Sequence, residues 1–285
     1  MPVYDRGYTH WEPTDGRAYP AWFVIAKRGI AEPLKKRWLL MLALAAWIPA
    51  IVKAVMIYVK LQAGDIADLL VGNWTSIDAA GFLSFMEGQR FFVFVLLAII
   101  GAGLISTDRR DNGLSLYFSR PLGLASYIGG KAAVIMFFYA MVTLFPVYGL
   151  CLYAYNIAPN AIGSELLFLI PLRATVYWLI SGASISLVLL AFSSLGKRSI
   201  FVMVWWTIMV MGTETVGTIG KNLLQSDAFE ALNFLGNYHN AASVLFSSEP
   251  RLDVSPWMSL IVLLAWTFAA ILILRKQIRP VEVVS

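Results

Sequence analysis

Three Gly-Lys pairs could in principle bind the phosphates of a nucleotide. They are Gly130-Lys131, Gly196-Lys197 and Gly220-Lys221. A phosphate-binding P-loop needs the pattern G-x-x-x-x-G-K-[ST], in which backbone N–H groups surround the phosphates and the hydroxyl binds magnesium. None of the three pairs is followed by Ser or Thr, and none has a glycine five positions before its own. We therefore expect no nucleotide site of this kind and no ATPase activity in the chain itself.

Side chains for metal binding or nucleophilic catalysis are also sparse. The chain has two histidines, one cysteine (Cys151), no H-E-x-x-H motif and no G-x-S-x-G motif. A metal centre and a serine hydrolase site are therefore disfavoured, and an enzyme is not predicted. Glu214 lies inside an apolar run, where a charge is costly. It either lines a translocation path and contacts substrate, or extends to the outer membrane interface.

The composition, which is 59% hydrophobic and only 14% charged, predicts the secondary structure that carries these residues. Soluble domains average roughly 45–50% apolar and about 25% charged residues. The apolar surplus lies in six runs whose length suits a hydrocarbon core roughly 30 Å thick. The runs cover 34–59, 88–107, 131–155, 172–195, 199–219 and 255–275. They predict an all-α polytopic membrane protein, with one transmembrane domain over 1–285 and six transmembrane helices within 34–275. Pro49 and Pro146 fall inside runs and are expected to kink their helices.

Basic residues predict the orientation of these spans. Of the 22 Lys and Arg residues, 16 lie on the side of both termini and six on the other side. The positive-inside rule then predicts that both termini are cytoplasmic. Residues 1–33 are expected to form a cytoplasmic tail and an N-terminal interfacial helix, because aromatic and basic side chains alternate there. The outer loop 220–254 is unusually apolar, and it is either a re-entrant hairpin or an extracytoplasmic cap.

The cytoplasmic loop 107–130 carries the most specific pattern in the chain. It has a charged start, a glycine and a Ser-Arg-Pro turn, and it ends in Tyr127 and Gly130-Lys131. The residues of the first three features are Asp108, Arg109, Arg110, Asp111, Gly113, Ser119, Arg120 and Pro121. This pattern resembles the conserved cytoplasmic loop of the ABC type-2 permease family, the membrane subunits of one class of ATP-driven exporters. The chain departs from that family at Asn112-Gly113, where a Gly-Thr pair is frequent.

The resemblance implies a permease subunit of an ABC transporter, an exporter in the bacterial cytoplasmic (inner) membrane. The eight loop residues would then couple the chain to a separate ATPase subunit, which binds the ATP and magnesium. A second permease subunit is also implied, as a homodimer or a heterodimer, and nucleic acid is not expected as a partner. The substrate stays open. The alternative is a membrane anchor or mechanotransmitting scaffold for an ATPase, which would move no solute.

Overall fold

The computed structural model describes residues 19–63, 76–118, 122–157 and 165–278. All regular secondary structure in these ranges is helical. Six stretches are long and apolar enough to cross a membrane, and they are called the first to sixth spans below. Their bounds are Arg37–Gln62, Arg90–Arg110, Leu124–Ile157, Leu166–Leu195, Ser199–Leu224 and Pro256–Gln277. The prediction of an all-helical, multi-pass membrane protein with six spans is therefore confirmed for the described residues.

The individual helices are shorter than the spans in several places. They are α1 (Ala21–Leu34), α2 (Arg37–Ala45), α3 (Ile48–Ala63), α4 (Ala79–Gly88), α5 (Arg90–Arg110), α6 (Gly113–Phe118), α7 (Leu124–Val142), α8 (Leu144–Ile157), α9 (Ile170–Leu195), α10 (Ser199–Thr207), α11 (Thr213–Leu224), α12 (Phe234–Phe246) and α13 (Pro256–Gln277). Glu165–Leu169 and Ile208–Gly212 are π-helical, and Asp227–Leu232 forms a 3₁₀ helix.

Two prolines break the first and third spans, as expected from the sequence. A proline has no N–H to donate to the carbonyl four residues earlier, and its ring crowds that carbonyl. The helix before Pro49 ends four residues earlier, at Ala45, and the helix before Pro146 ends at Val142. The third span begins at Leu124, seven residues before the predicted start at 131, because the charge of Lys131 is paired inside the protein.

The N-terminal helix α1 packs along the start of α7, and glycines permit the close approach. A Cβ atom on Gly130 would lie 2.8 Å from the carbonyl oxygen of Trp22, and one on Gly29 would lie 2.6 Å from Val134. Phe23 and Val24, on the side of α1 away from α7, are exposed, and the Trp22 side chain at the start of the helix is also exposed. The helix therefore packs on the protein along one side and exposes large apolar side chains near its start.

A helix that the sequence analysis did not predict, α4, lies just before the second span. Asp78 caps its first turn by accepting a hydrogen bond from the Gly81 N–H at 2.9 Å. Its side chains, among them Phe82 and Phe85, are almost fully buried. Lys53 of the first span is buried next to it, with its ammonium donating to the Ser76 carbonyl at 2.9 Å and facing the Phe82 ring.

The segment after the fifth span turns back between the spans. Gln225 takes a left-handed backbone conformation with φ 48°, which ends α11 and reverses the chain. The 3₁₀ helix then runs back along α11. Two residues after this helix ends, the Phe234 N–H donates to the Thr213 hydroxyl at 3.3 Å. The Phe234 ring packs edge-on against Trp266, which lies ten residues, or about 15 Å, inside the sixth span. From there α12 runs back toward the start of the sixth span, where the Asn240 amide donates to the Val254 carbonyl and to the Ser259 hydroxyl.

Candidate functional site

The carboxylate of Asp108 is held by two partners from the next span. The hydroxyl of Tyr127 donates to Asp108 Oδ2 at 2.6 Å, and the ammonium of Lys131 lies 2.7 Å from the same oxygen. Both side chains of the ion pair are largely buried, with Lys131 10% and Asp108 19% exposed. Charge-assisted hydrogen bonds of this length are the strong ones. The end of α5 is therefore fixed to the start of α7.

The short helix α6 is drawn into the same cluster through Tyr117. The Lys131 ammonium lies 5.8 Å from the centre of the Tyr117 ring and 5.5 Å from that of Tyr127. The two rings are 5.3 Å apart. Burial, together with the Asp108 carboxylate, raises the pKa of the Tyr117 phenol, which keeps it neutral. We call Asp108, Tyr117, Tyr127 and Lys131 the loop anchor.

The turn between α5 and α6 depends on two special backbone positions. Asn112 adopts a left-handed conformation with φ 53°, which asparagine tolerates better than most residues. A Cβ atom on Gly113 would lie 3.4 Å from the Asp108 carbonyl oxygen, a close van der Waals contact. Ser119, Arg120 and Pro121, the predicted turn of the coupling loop, lie outside the described residues.

The three charged residues after Asp108 divide into two groups. Arg109 donates to Gln277 Oε1 at 3.3 Å, which connects the second span to the end of the sixth. Arg110 and Asp111 form a two-fold hydrogen-bonded pair, 2.8 and 3.2 Å long, and both side chains are more than half exposed. The hydrogen bonds from Arg110 lower the pKa of the Asp111 carboxyl. The loop therefore presents this pair outward, whereas Asp108 and Arg109 point into contacts within the chain.

At the opposite end of the spans, Glu214 belongs to an ion cluster that the sequence analysis did not assemble. Its Oε1 lies 3.1 Å from Arg90 Nη2 and 3.6 Å from Arg251 Nη2. Glu87 contacts both arginines as well, and its Oε2 lies 3.1 Å from His239 Nδ1. Burial, and then the guanidinium of Arg90, lower the pKa of the His239 imidazole. We call these five residues the outer ion cluster, after the side of the membrane that the distribution of basic residues predicts for them.

A small cavity lies on the inner side of this cluster, among aromatic side chains. Its volume is about 40 Å³, enough for one to three water molecules, and Arg90, His239 and Trp206 line it. Trp206 is 1% exposed, and its indole N–H has no hydrogen-bond partner among the described residues. Tyr139 and Tyr238 also line the cavity.

Hydroxyl groups below the cavity link α12 to the spans. The Tyr238 hydroxyl donates to Ser184 at 2.8 Å, and Ser184 pairs with Thr267 at 2.5 Å. Tyr139 pairs with Ser181 of the same α9 helix at 3.0 Å. These contacts satisfy polar groups in an apolar interior, where an unpaired group is costly. Glu214 lies instead in the outer ion cluster, where Arg90 and Arg251 balance its charge.

The sequence analysis identified Asp108 and Glu214 but missed their partners. Tyr127 and Lys131 end the loop pattern described above, so the sequence did indicate that they belong to the same loop as Asp108. Glu87, Arg90 and Arg251 come from two distant segments, and no local pattern joins them. Comparison of the chain with protein-family models and with curated proteins gives no match.

Proposed function

We propose that the chain is the permease subunit of an ABC transporter and that it works as an exporter. A separate ATPase subunit binds ATP and magnesium, and its hydrolysis drives substrate movement through the membrane domain. The observation that carries this proposal is the short helix α6 between the second and third spans, tied to the third span by the loop anchor. At the start of α6 the exposed pair Arg110–Asp111 offers a surface for a partner.

The loop anchor gives this arrangement a mechanical consequence. A partner that moves a loosely attached loop would leave the spans where they are. Here Tyr117 of α6 contacts Tyr127 and Lys131 of the third span, and these two residues also hold Asp108 of the second span, so a displacement of α6 is carried into both spans. ATP binding to the partner would then favour the conformation that draws two such loops together, and release would favour the other.

The proposal includes the orientation and the assembly. Both termini face the cytoplasm, α1 lies on the cytoplasmic leaflet with its apolar face in lipid, and two permease subunits share two ATPase subunits. The membrane is the bacterial cytoplasmic membrane. The 16 basic residues on the side of the termini and the exposed Trp22 and Phe23 of α1 support this orientation.

We propose further that the segment 225–246 is a re-entrant hairpin inserted from the outer side. Its support is the contact of Phe234 with Trp266 well inside the sixth span. The outer ion cluster, including Glu214, then closes the outer side of the translocation path, and the small cavity is the part of that path that remains in this conformation.

The experiment is co-purification of the full-length tagged chain from its native membrane in a mild detergent. The wild type should retain a P-loop protein, and the eluate should hydrolyse ATP. The double variant Arg110→Glu with Asp111→Arg keeps an internal ion pair but reverses the charges offered to a partner. It should lose that protein while inserting normally into the membrane.

The matched control reverses another exposed ion pair on the same side, with Arg28→Glu and Glu32→Arg. It should keep the ATPase at wild-type yield. Absence of a P-loop protein from the wild-type eluate, or its full retention by the Arg110/Asp111 variant, would contradict the proposal.

A further inference from the structure

A wide apolar groove lies between the fourth, fifth and sixth spans. Its volume is about 510 Å³, within the range of small-molecule sites, and its walls are almost wholly apolar. Phe192, Trp205, Ile208, Gly212, Val216 and Trp266 are among the residues that line it. Ile208 is 63% and Val216 52% exposed, so the groove opens on the outer surface of the helix bundle.

The backbone of the fifth span shapes this groove. Its middle, Ile208–Gly212, is π-helical, which is rare and is often found at functional sites. Gly212 adds no side chain at the floor, and a Cβ atom there would make only an ordinary contact of 3.8 Å with Ile208. From Trp205 to Val216 the groove follows the span for about 16 Å, close to half the thickness of the hydrocarbon core.

Two basic residues lie at one end of the groove. Gly196 packs against the ring of Trp205, with a Cβ position 3.7 Å from the indole, so the turn 196–198 adjoins the groove. Lys197 and Arg198 of that turn are exposed, and within the described part of the chain no carboxylate pairs with either. An apolar groove with an unpaired cationic end matches a molecule with an apolar chain and an anionic head.

We propose that this groove binds one anionic phospholipid, with an acyl chain along the fifth span and the headgroup phosphate at Lys197 and Arg198. A second copy of this chain fits less well. A two-fold contact through the groove is self-complementary, so it would bring four basic residues to the same edge of the interface. The inference goes beyond the transport proposal and does not depend on an ATPase partner.

Native mass spectrometry of the purified full-length chain, titrated with phosphatidylglycerol or phosphatidylcholine, tests this site. The chain should bind one molecule of phosphatidylglycerol, with a higher affinity than it has for phosphatidylcholine. The double variant Lys197→Gln with Arg198→Gln should lower phosphatidylglycerol affinity about twenty-fivefold, because each basic residue at a membrane surface contributes about fivefold. Lys35→Gln with Lys36→Gln removes two exposed lysines elsewhere on the same side and should leave the preference intact.

A second pair of variants tests the groove itself. Gly212→Leu places a side chain in the groove and should abolish the binding of phosphatidylglycerol. Gly149→Leu makes the same change at an open surface position of the third span and should bind as the wild type does. Equal melting temperatures of the variants establish that the fold is kept.

Three outcomes would overturn the inference. One is an unchanged phosphatidylglycerol preference in the Lys197/Arg198 variant, which is safe for the fold because both side chains are exposed. Another is unchanged phosphatidylglycerol binding by the Gly212→Leu variant. The third is a dimer that Gly212→Leu dissociates, because a second copy would then occupy the groove.

Discussion

The ammonium of Lys131 lies 2.7 Å from the carboxylate of Asp108, across the ends of two consecutive spans. An ion pair with both partners mostly buried stabilises only when its remaining polar groups are satisfied, and here Tyr127 donates to the same oxygen. Removing one partner therefore costs more than the pair contributes. The free energies of unfolding of single and double variants should therefore reveal the interaction within the loop anchor.

Lys131→Met should lower the free energy of unfolding by about 3 kcal/mol, because it leaves the Asp108 charge in a largely buried position. Adding Asp108→Asn should recover part of that loss, and thermal unfolding in detergent measures both. Arg28→Gln breaks the exposed pair with Glu32 and should cost less than about 1 kcal/mol. Additive losses at Asp108 and Lys131 would mean that the two side chains do not interact.

Tyr127→Phe should lower the free energy of unfolding by about 2 kcal/mol. The change removes one hydrogen bond to a charged group and keeps the ring that packs against Tyr117 and Lys131. Tyr148→Phe removes an exposed hydroxyl bonded to Thr175 and serves as the control. Equal thermal shifts for the two variants would contradict the anchoring role of Tyr127.

Arg90→Gln should destabilise the protein more than Glu214→Gln. Arg90 contacts both carboxylates of the outer ion cluster, and its loss leaves Glu87 and Glu214 with Arg251 as their shared cation. These side chains are between 23% and 35% exposed, so we expect about 1 to 2 kcal/mol in unfolding measurements. Greater sensitivity at Glu214 would contradict the bridging role of Arg90.

His239 should make stability depend on pH below neutrality. Burial and Arg90 lower its pKa in the folded chain below the ordinary value of 6.5, although the Glu87 carboxylate lies 3.1 Å away. The unfolded chain therefore binds the proton first, and stability falls as the pH drops below about 6.5. Arg251 and Glu214 complete the charged groups of the cluster. Melting temperatures between pH 7.5 and 5.5 should fall less steeply for His239→Gln than for the wild type, and parallel curves would exclude His239 as the cause.

Accessibility of single cysteines tests the orientation. Cys151 is buried and is the one cysteine of the chain, so Cys151→Ser supplies a clean background. In intact cells a membrane-impermeant maleimide should label Leu223→Cys, at the outer end of the fifth span, and not Lys35→Cys. The reverse pattern would place both termini outside.

The six spans were predictable from the sequence because the thickness of a bilayer sets a length that apolar runs reveal without any tertiary contact. The two proline breaks were predictable for the same kind of reason, since a missing N–H acts on a carbonyl four residues away. The helix α4 was not predicted, because ten residues are too short for a span and its burial depends on neighbours contributed by α3 and α12.

The number and approximate length of the membrane helices, the clustering of basic residues at one end of them, and the charged loop with its family resemblance were all readable from the residues alone. The contact of Asp108 with Lys131, that of Glu214 with Arg90 and Arg251, and the packing of Phe234 beside Trp266 emerged with the folded chain. The physical reason is the range of the interactions. Hydrophobic length and proline geometry act within one helix. An ion pair between Arg90 and Glu214 joins residues 124 positions apart, and it forms only when packing brings their helices together.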